Sequence, residues 1–322
     1  MRIILAIILV LVLTECNNKN DTFKEPLSEA DLGKLLFFDP ILSSDSSISC
    51  ASCHKPQFAF ADSLEFSLGV GGKSGTRNTP SAMNQSSRNF MFWDGRNETL
   101  EEQAAGPIEK PIEMNLPMSE LINRLYKHKY YNVFFMKIYG KQPNRENITQ
   151  ALAEYERTLE TNNTAFDDFM SKDDTTEFSQ SAQRGQKIFN VKGKCFDCHF
   201  GPDFTTDLFR NIGLFNGKDL NDSGRFVVTR KLSDLGKFKT PGLRNIAMTA
   251  PYMHNGMHKT LREVIDYYDV PDKFIKNSIN RDTLLNKPLG LTETEKKDLE
   301  NFLLSLSDRR FKKNELAKTQ SR

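Results

Sequence analysis

The chain has 322 residues, about twice the length of an ordinary domain, and 38% of them are hydrophobic, which is enough for two buried cores. This composition excludes a disordered chain. With 44 Lys and Arg against 42 Asp and Glu, the formal net charge of +2 excludes a nucleic-acid binder that works by neutralising phosphates.

The first residues have the pattern of an export signal. A positively charged start is followed by an apolar run from Ile3 to Leu13, which is too short to span a bilayer. Cys16 follows at the place where a bacterial lipoprotein carries its lipidated cysteine, although Glu15 departs from the small residue expected there. We predict a signal peptide over residues 1–16, a periplasmic protein and a lipid anchor at Cys16, with cleavage nearby or an uncleaved anchor as alternatives.

The other four cysteines fall in two identical motifs, Cys50-Ala51-Ser52-Cys53-His54 and Cys195-Phe196-Asp197-Cys198-His199. This is the spacing of c-type haem attachment, because two thiols three positions apart can each bind one haem vinyl group. The adjacent histidine is then the proximal iron ligand. Two short-loop disulfides or one shared zinc site are the alternatives, and neither explains the two histidines.

Each motif is preceded by a predicted amphipathic helix. One helix begins at Ser28 and ends before Pro40, and the other covers residues 181–190. Both carry the same pattern from glycine to phenylalanine, in Gly33–Phe38 and in Gly185–Asn190. The sequence therefore predicts an internal duplication.

The duplication continues beyond the cysteines at a constant offset of 161 positions. It pairs Thr79-Pro80 with Thr240-Pro241, Trp93-Asp94-Gly95 with His254-Asn255-Gly256, and Thr99-Leu100 with Thr260-Leu261. Further helices are predicted over residues 147–169, 260–268 and 292–306, and residues 171–179 read as a linker. No alternating strand pattern is evident. We predict a mostly α fold of two tandem cytochrome c-like domains, over residues 22–172 and 173–315, each with one covalently attached haem c.

The halves differ where their chemistry would differ. The first has Trp93 where the second has His254, and only the first continues with Gln103 and then Glu113, in a segment predicted to be a loop rich in Pro and Gly. A carboxyl beside a five-coordinate haem can move a proton between the two oxygens of peroxide and so assist loss of water. From composition alone, both residues are more simply read as ordinary surface residues.

The sixth ligand of the first iron has one candidate in the loop region of the first half. Met83 is the only soft side chain there, and the loop has no His or Tyr between residues 66 and 84. The first haem is therefore predicted to have an open coordination position.

Several motifs of this chain occur together, in this order, in one family. They are Arg77-Asn78-Thr79-Pro80, Phe92-Trp93-Asp94-Gly95-Arg96, Leu100-Glu101-Glu102-Gln103, Pro107-Ile108-Glu109 with Glu113-Met114, Lys239-Thr240-Pro241-Gly242-Leu243-Arg244-Asn245, and Ala250-Pro251-Tyr252-Met253-His254-Asn255-Gly256. With them the chain closely resembles the bacterial di-haem cytochrome c peroxidases and the related MauG proteins. The resemblance covers nearly all of the chain after Leu27.

The resemblance implies roles for particular residues. Gln103 and Glu113 occupy the positions of the family's catalytic pair, ten and twenty residues after the tryptophan, and Trp93 corresponds to the tryptophan that passes electrons between the haems. The family also binds Ca²⁺ between its domains. The matching positions are the side chain of Asn78 and the carbonyls of Thr249 and Pro251, oxygen donors that suit this cation.

Two positions depart from the typical peroxidases of the family. The loop over residues 67–75 lacks their distal histidine, so the first haem is expected to accept peroxide without prior reduction. Tyr268 stands where those peroxidases have the methionine ligand of the second haem, and MauG-like members carry tyrosine there. A phenolate would lower the haem potential. Met253 and Met257 are rival ligands.

The function expected from this resemblance is a periplasmic peroxidase that reduces H2O2 to water with electrons from a small redox protein, a cytochrome c or a cupredoxin. One alternative is a MauG-like oxidase that modifies aromatic residues of a partner protein. The other is a non-catalytic di-haem electron carrier. The sequence leaves the choice between a monomer and a homodimer open.

Overall fold

The computed structural model describes residues 25–311. The predicted signal peptide, Cys16 and the outer ends of the two predicted domains lie outside the described residues. The described chain is mostly helical, as predicted, and its one sheet has two strands of two residues. Within residues 25–311, no helix has the length and apolar character needed to cross a bilayer.

The described part of the chain contains twelve α-helices and one antiparallel strand pair. They are α1 (Glu29–Phe38), α2 (Cys50–Cys53), α3 (Leu100–Glu109), α4 (Met118–Lys127), α5 (Tyr131–Tyr139), α6 (Arg145–Arg157), α7 (Ala165–Lys172), α8 (Gln180–Asn190), β1 (Phe209–Arg210), α9 (Phe226–Thr229), β2 (Phe238–Lys239), α10 (Leu261–Asp269), α11 (Pro271–Phe274) and α12 (Glu293–Ser305). Phe209 pairs with Lys239 in the strand pair.

Polar caps start the helices that the sequence predicts. The side chains of Ser28, Thr260 and Thr292 accept hydrogen bonds from the backbone N–H groups three residues further on, which are otherwise unpaired in a first turn. The predicted helix over residues 147–169 is instead two helices, α6 and α7. Thr164 caps α7 in a reciprocal pair with Asp167, so the helix restarts after a break.

Residues 100–109 form a helix, and the prediction of a loop around Gln103 was wrong there. The Thr99 side chain accepts a hydrogen bond from the Glu102 N–H, and two acidic residues in the first turn complement the helix dipole. Pro107 lies in the last two turns of α3 without ending it. Glu113 does lie in a loop, between α3 and α4.

The predicted duplication is visible in the helix packing. A Cβ atom on Gly33 of α1 would lie 1.7 Å from the Ala151 carbonyl oxygen on α6, and one on Gly185 of α8 would lie 2.0 Å from that of Asp298 on α12. Glycine is therefore needed at both crossings, because it alone lets the two backbones come this close. The helix before each CXXCH motif thus crosses a later helix in the same way, α1 against α6 and α8 against α12.

The loops repeat as well. A single bridge joins Met91 to Asn97 in the first half, and its counterpart joins Tyr252 to His258 in the second. Each half thus builds the same turn, and that turn presents Trp93 in one half and His254 in the other.

The apolar side chains form two main clusters. The first surrounds α1 and α6, and the second surrounds α8 and α12. Helix α7 precedes residue 173 but packs on the second cluster, through Phe166 and Phe169. Phe311, only 4% exposed, belongs to the first cluster, so the end of the described chain returns to the N-terminal half. The boundary between residues 172 and 173 remains a prediction.

Equivalent asparagines of the two halves meet where the halves contact each other, a boundary called the seam below. Asn84 and Asn245 are both buried, and both have a positive φ. The Asn84 Nδ2 donates to Thr161 Oγ1 at 3.0 Å, and the Asn245 Nδ2 donates to the same oxygen at 2.6 Å. The segment between α6 and α7 is therefore fixed at the junction of the halves.

Candidate functional site

The first CXXCH motif lies on the wall of a cavity of about 590 Å³. Its cysteines form the short helix α2, and the His54 N–H closes the turn on the Cys50 carbonyl at 2.8 Å. The His54 Nδ1–H donates to the Phe60 carbonyl at 3.0 Å. The backbone thus fixes the ring orientation through Nδ1, so Nε2 is the nitrogen that would bind a metal.

The second motif repeats this arrangement around a smaller cavity of about 220 Å³. The His199 N–H bonds to the Cys195 carbonyl at 2.8 Å, and Nδ1 donates to the Phe204 carbonyl at 2.9 Å. Burial lowers the pKa of His54 and of His199, so both rings stay neutral, which is the form that ligates a metal.

The four motif cysteines are free thiols, and the two pairs line different cavities. The disulfide and the shared zinc alternatives both disagree with this arrangement. Burial raises the pKa of all four thiols, so they are neutral near pH 7. Thiol pairs beside a histidine whose Nδ1 is bonded to the backbone, each on the wall of its own cavity, fit covalent haem attachment.

Glu113 and Gln103 both line the first cavity. The Glu113 carboxylate accepts a hydrogen bond from Lys110 Nζ at 2.8 Å, and its side chain is 33% exposed. In the structure Lys110, and not Gln103, makes the hydrogen bond to this carboxyl. Lys110 also lines the cavity and was missed in the sequence, because its contact with Glu113 depends on the turn that follows α3.

The loop over residues 67–75, which has no histidine, packs on the segment that carries Glu113. The Val70 N–H donates to the Glu113 carbonyl at 2.8 Å, and a Cβ on Gly69 would lie 2.1 Å from the Ile112 carbonyl oxygen. Lys73 Nζ donates to the Pro111 carbonyl at 3.1 Å. The backbone of Glu113 is therefore fixed by direct contact with this loop.

Met83, the predicted soft candidate for the first iron, does not line the first cavity among the described residues. It is 2% exposed in the first apolar cluster, and its sulfur accepts a hydrogen bond from Asn245 Nδ2 at 3.5 Å. Within residues 25–311, the lining of this cavity contains one histidine, His54, and no tyrosine. Met91 and Met114 are the methionines that line it.

Trp93 lies between the two cavities and is the one aromatic residue of the described chain that lines both. Its Nε1–H donates to the Asn78 carbonyl at 2.8 Å, and its own carbonyl accepts from the Lys239 N–H at 2.8 Å. The indole meets the ring of His254 edge-on, with 6.5 Å between centroids. Contacts from both halves therefore fix the position of the indole.

Tyr268 and Met253 line the second cavity, whereas Met257 packs in the small cluster around Tyr267. The two adjacent tyrosines of α10 differ in their surroundings. The Tyr267 hydroxyl donates to the Ile212 carbonyl at 2.6 Å, while Tyr268 faces the cavity that holds the Cys195 motif. Burial raises the pKa of Tyr268, so a phenolate there needs a nearby cation.

The three residues predicted to bind calcium line the second cavity together. Asn78 is 5% exposed, and its Nδ2 donates to the carbonyls of Leu64 and Glu65 at 3.2 and 3.3 Å. This leaves Oδ1 as the side-chain donor for a cation. Among residues 25–311, no cluster of three or more His, Cys, Asp or Glu could hold a metal, so such a site depends on amide and carbonyl oxygens.

An ion network that the sequence did not reveal crosses the seam beside the first cavity. Arg77 donates two hydrogen bonds to Asp222, at 2.7 and 2.8 Å, and one to Asp94 at 2.6 Å. Burial alone would raise the pKa of Asp222, but the hydrogen bond and charge of Arg77 outweigh it and lower the pKa. Asp222 comes from the second half and lines the first cavity, so both halves contribute to that cavity.

The family of this chain follows from comparison with known proteins. Residues 28–175 match the family model described as di-haem cytochrome c peroxidase. Over 283 residues the chain is 37% identical to the methylamine utilization protein MauG of Methylophilus methylotrophus, covering 87% of this chain and 82% of that protein. The chain belongs to the di-haem cytochrome c peroxidase family, which confirms the resemblance in the motifs. It is an oxidoreductase of that family.

Two further relatives show how the matches divide. The chain is 36% identical over 240 residues to a cytochrome c551 peroxidase of Nitrosomonas europaea, covering 74% of this chain and 71% of that protein. The crystal structure of a MauG-like protein associated with microbial copper homeostasis superposes with a TM-score of 0.79 at 28% identity, covering 89% of this chain and 91% of the other. The relatives thus include both peroxidases and MauG proteins.

Proposed function

We propose that this protein is a periplasmic di-haem cytochrome c peroxidase that reduces H2O2 to water. Its electrons come from a small redox protein, a cytochrome c or a cupredoxin. The observation that carries the proposal is that two CXXCH cavities share Trp93 while only the first contains the acid-base candidate Glu113. Two electrons and two protons convert one H2O2 into two waters.

The residues around each cavity fit a haem c. Cys50 and Cys53 would hold the first haem and Cys195 and Cys198 the second, with His54 and His199 as proximal ligands. When bound, the haems supply the redox-active iron at which electrons are stored and peroxide is reduced. Tyr268 lines the second cavity, whereas the described lining of the first cavity has no histidine besides His54 and no tyrosine, which supports an open coordination position at the first haem.

Glu113 manages the proton in this proposal. A carboxyl on the cavity wall can take a proton from one peroxide oxygen and return it to the other, so that the O–O bond breaks as water leaves. Lys110 Nζ donates a hydrogen bond to this carboxyl at 2.8 Å and so orients it towards the cavity that both residues line. Gln103 lines the same cavity and would position the peroxide by hydrogen bonding.

Trp93 carries electrons from the second cavity to the first. The first half holds its indole and the second half holds its backbone, each through a hydrogen bond of 2.8 Å. A Ca²⁺ ion held by Asn78 and by the carbonyls of Thr249 and Pro251 would stabilise the same place, because the Asn78 carbonyl accepts the indole N–H. The export signal predicted over residues 1–16 supports the periplasm as the site of action.

A steady-state assay tests the proposal. Purified protein with both haems is mixed with H2O2 and a reduced cytochrome c or cupredoxin, and oxidation of the donor is followed. We expect two donor molecules to be oxidised for each H2O2 consumed. No reaction with peroxide would identify an electron carrier, and protein crosslinks or radicals on an added partner without donor oxidation would identify a MauG-like oxidase.

Tyr268 favours a second candidate function, a MauG-like oxidase that withdraws electrons from aromatic residues of a partner protein. It lines the second cavity, at the place where a phenolate would lower the haem potential. A low potential suits the storage of oxidising equivalents better than simple electron relay.

Replacing Tyr268 tests whether its phenolate is the sixth ligand of the second haem. We expect Tyr268→Met to raise the potential of that haem and to abolish a phenolate-type EPR signal of the resting protein, because a thioether favours ferrous iron more than a phenolate does. Tyr267→Phe is the matched control, since that hydroxyl bonds to the Ile212 carbonyl instead. An unchanged spectrum in Tyr268→Met would exclude this residue as the ligand.

A further inference from the structure

A buried carboxyl outside the proposed catalytic pair faces the first cavity. Glu156 lies in the last turn of α6, is 9% exposed, and lines the cavity together with Cys50 and Leu152. Within residues 25–311, no group donates a hydrogen bond to its carboxyl oxygens. Its neighbour Arg157 pairs instead with Glu101 at 2.7 Å and with Glu154 at 2.9 Å.

The second half has no such carboxyl at the equivalent position. Gly33 contacts Tyr155 on α6 in the way that Gly185 contacts Phe302 on α12, which aligns the two helices residue by residue. In this alignment Glu156 corresponds to Leu303, which is 7% exposed and lines the second cavity. The duplicated fold thus places a leucine against one cavity and an ionisable group against the other.

An unpaired carboxyl in such surroundings is stable only when it is neutral or when a positive charge lies nearby. The groups that face it are few. Helix α1 presents Gly33 to α6, α2 presents Cys50, and α3 contributes the carboxylate of Glu101, while the charge of Arg157 acts from α6 itself. Burial raises the pKa of Glu156 to about 8, with Arg157 opposing and Glu101 adding to the rise.

We propose that Glu156 is a proton-exchanging residue of the first haem, which binds a proton from solvent when an electron reaches that haem and releases it when the electron leaves. The charge balance is simple: one electron reduces ferric to ferrous iron, and one proton converts the carboxylate to the neutral acid. This deepens the proposed function and depends on it only in taking the first cavity as a haem site. Glu156 would tune the haem without touching peroxide.

The sign of the pH dependence follows from the charges. Ferric haem carries one more positive charge than ferrous haem, and a positive charge near a carboxyl lowers its pKa by about 1–3 units. The carboxyl of Glu156 therefore has a lower pKa in the oxidised protein than in the reduced protein. Between these two values the potential of the first haem falls as the pH rises.

A spectroelectrochemical titration of both haems, without peroxide, tests this proposal. In the wild type we expect the reduction equilibrium of the first haem to change up to tenfold per pH unit, or about 59 mV, between the pKa values of Glu156 in the oxidised and the reduced protein. Glu156→Gln should abolish this slope and leave the potential near the wild-type value at low pH. Glu156→Leu, which copies the second half, should do the same.

The controls separate this proposal from a structural effect and from the peroxidase proposal. Glu154→Gln changes a carboxyl on the same helix, two residues earlier, and should keep the pH dependence of the first haem potential. The potential of the second haem should vary with pH in the same way in the wild type and in every variant. A wild-type slope in both Glu156 variants, or a flat wild-type potential, would overturn the proposal. Because no peroxide is added, a protein without peroxidase activity would still give a clear result.

Discussion

Glu113→Gln is expected to lower peroxide turnover by about 10² or more while both haems stay attached, because this is the usual effect of losing an acid-base group. Glutamine has nearly the same size and can still accept a hydrogen bond from Lys110, now 2.8 Å from the carboxylate. It cannot take up a proton from peroxide. The attachment residues Cys50 and Cys53 are unchanged, so the absorption spectrum of the haems should be preserved.

The measurement is steady-state turnover with a saturating reduced donor, together with haem content per protein. Glu109→Gln is the matched control, because that carboxyl lies at the end of α3 and pairs with Arg145 at 3.0 Å on the surface. Wild-type turnover in Glu113→Gln would remove this carboxyl from the mechanism. Loss of haem in the variant would assign it a structural role instead.

Trp93→Phe is expected to slow electron passage from the second haem to the first by at least about tenfold, a barrier increase of about 1.4 kcal/mol. Phenylalanine is far harder to oxidise than tryptophan and loses the hydrogen bond to the Asn78 carbonyl. Donor-driven turnover should therefore fall, whereas the first encounter of peroxide with the first haem should keep its wild-type rate.

Stopped-flow spectroscopy separates these two steps. Rapid mixing with peroxide measures the reaction of peroxide with the first haem. The return of that haem to its resting spectrum in the presence of donor measures electron passage from the second haem. Phe92→Leu removes the neighbouring aromatic ring, which lines the first cavity but not the second, and should leave electron passage unchanged. Equal rates in wild type and Trp93→Phe would show that electrons cross elsewhere.

Local patterns in the sequence were sufficient for much of the fold. The two CXXCH motifs, the glycines of α1 and α8 and the capping residues of α10 and α12 act through neighbours in the chain or through a repeat, so they can be read directly. Helix α3 was missed because Gly106 and Pro107 suggest a loop, whereas the Thr99 cap and the acidic first turn outweigh them.

The site was only partly predictable, for a physical reason. Asp222 reaches the first cavity from the other half of the chain, and no local pattern indicates that contact. Glu156 could have been found, because it follows Leu152 by four positions and precedes Leu159 by three, which places a charge on the apolar face of α6. The contact between Lys110 and Glu113 depends on the turn after α3, which spacing alone does not define.

The return of Phe311 to the first apolar cluster affects the order in which the protein can be completed. Domains near the N-terminus generally fold first during synthesis. Here the N-terminal cluster lacks one of its own side chains until residue 311 has been made, long after both CXXCH motifs have emerged. The apolar cluster of the N-terminal half can therefore be completed only after the whole C-terminal half up to residue 311 is present.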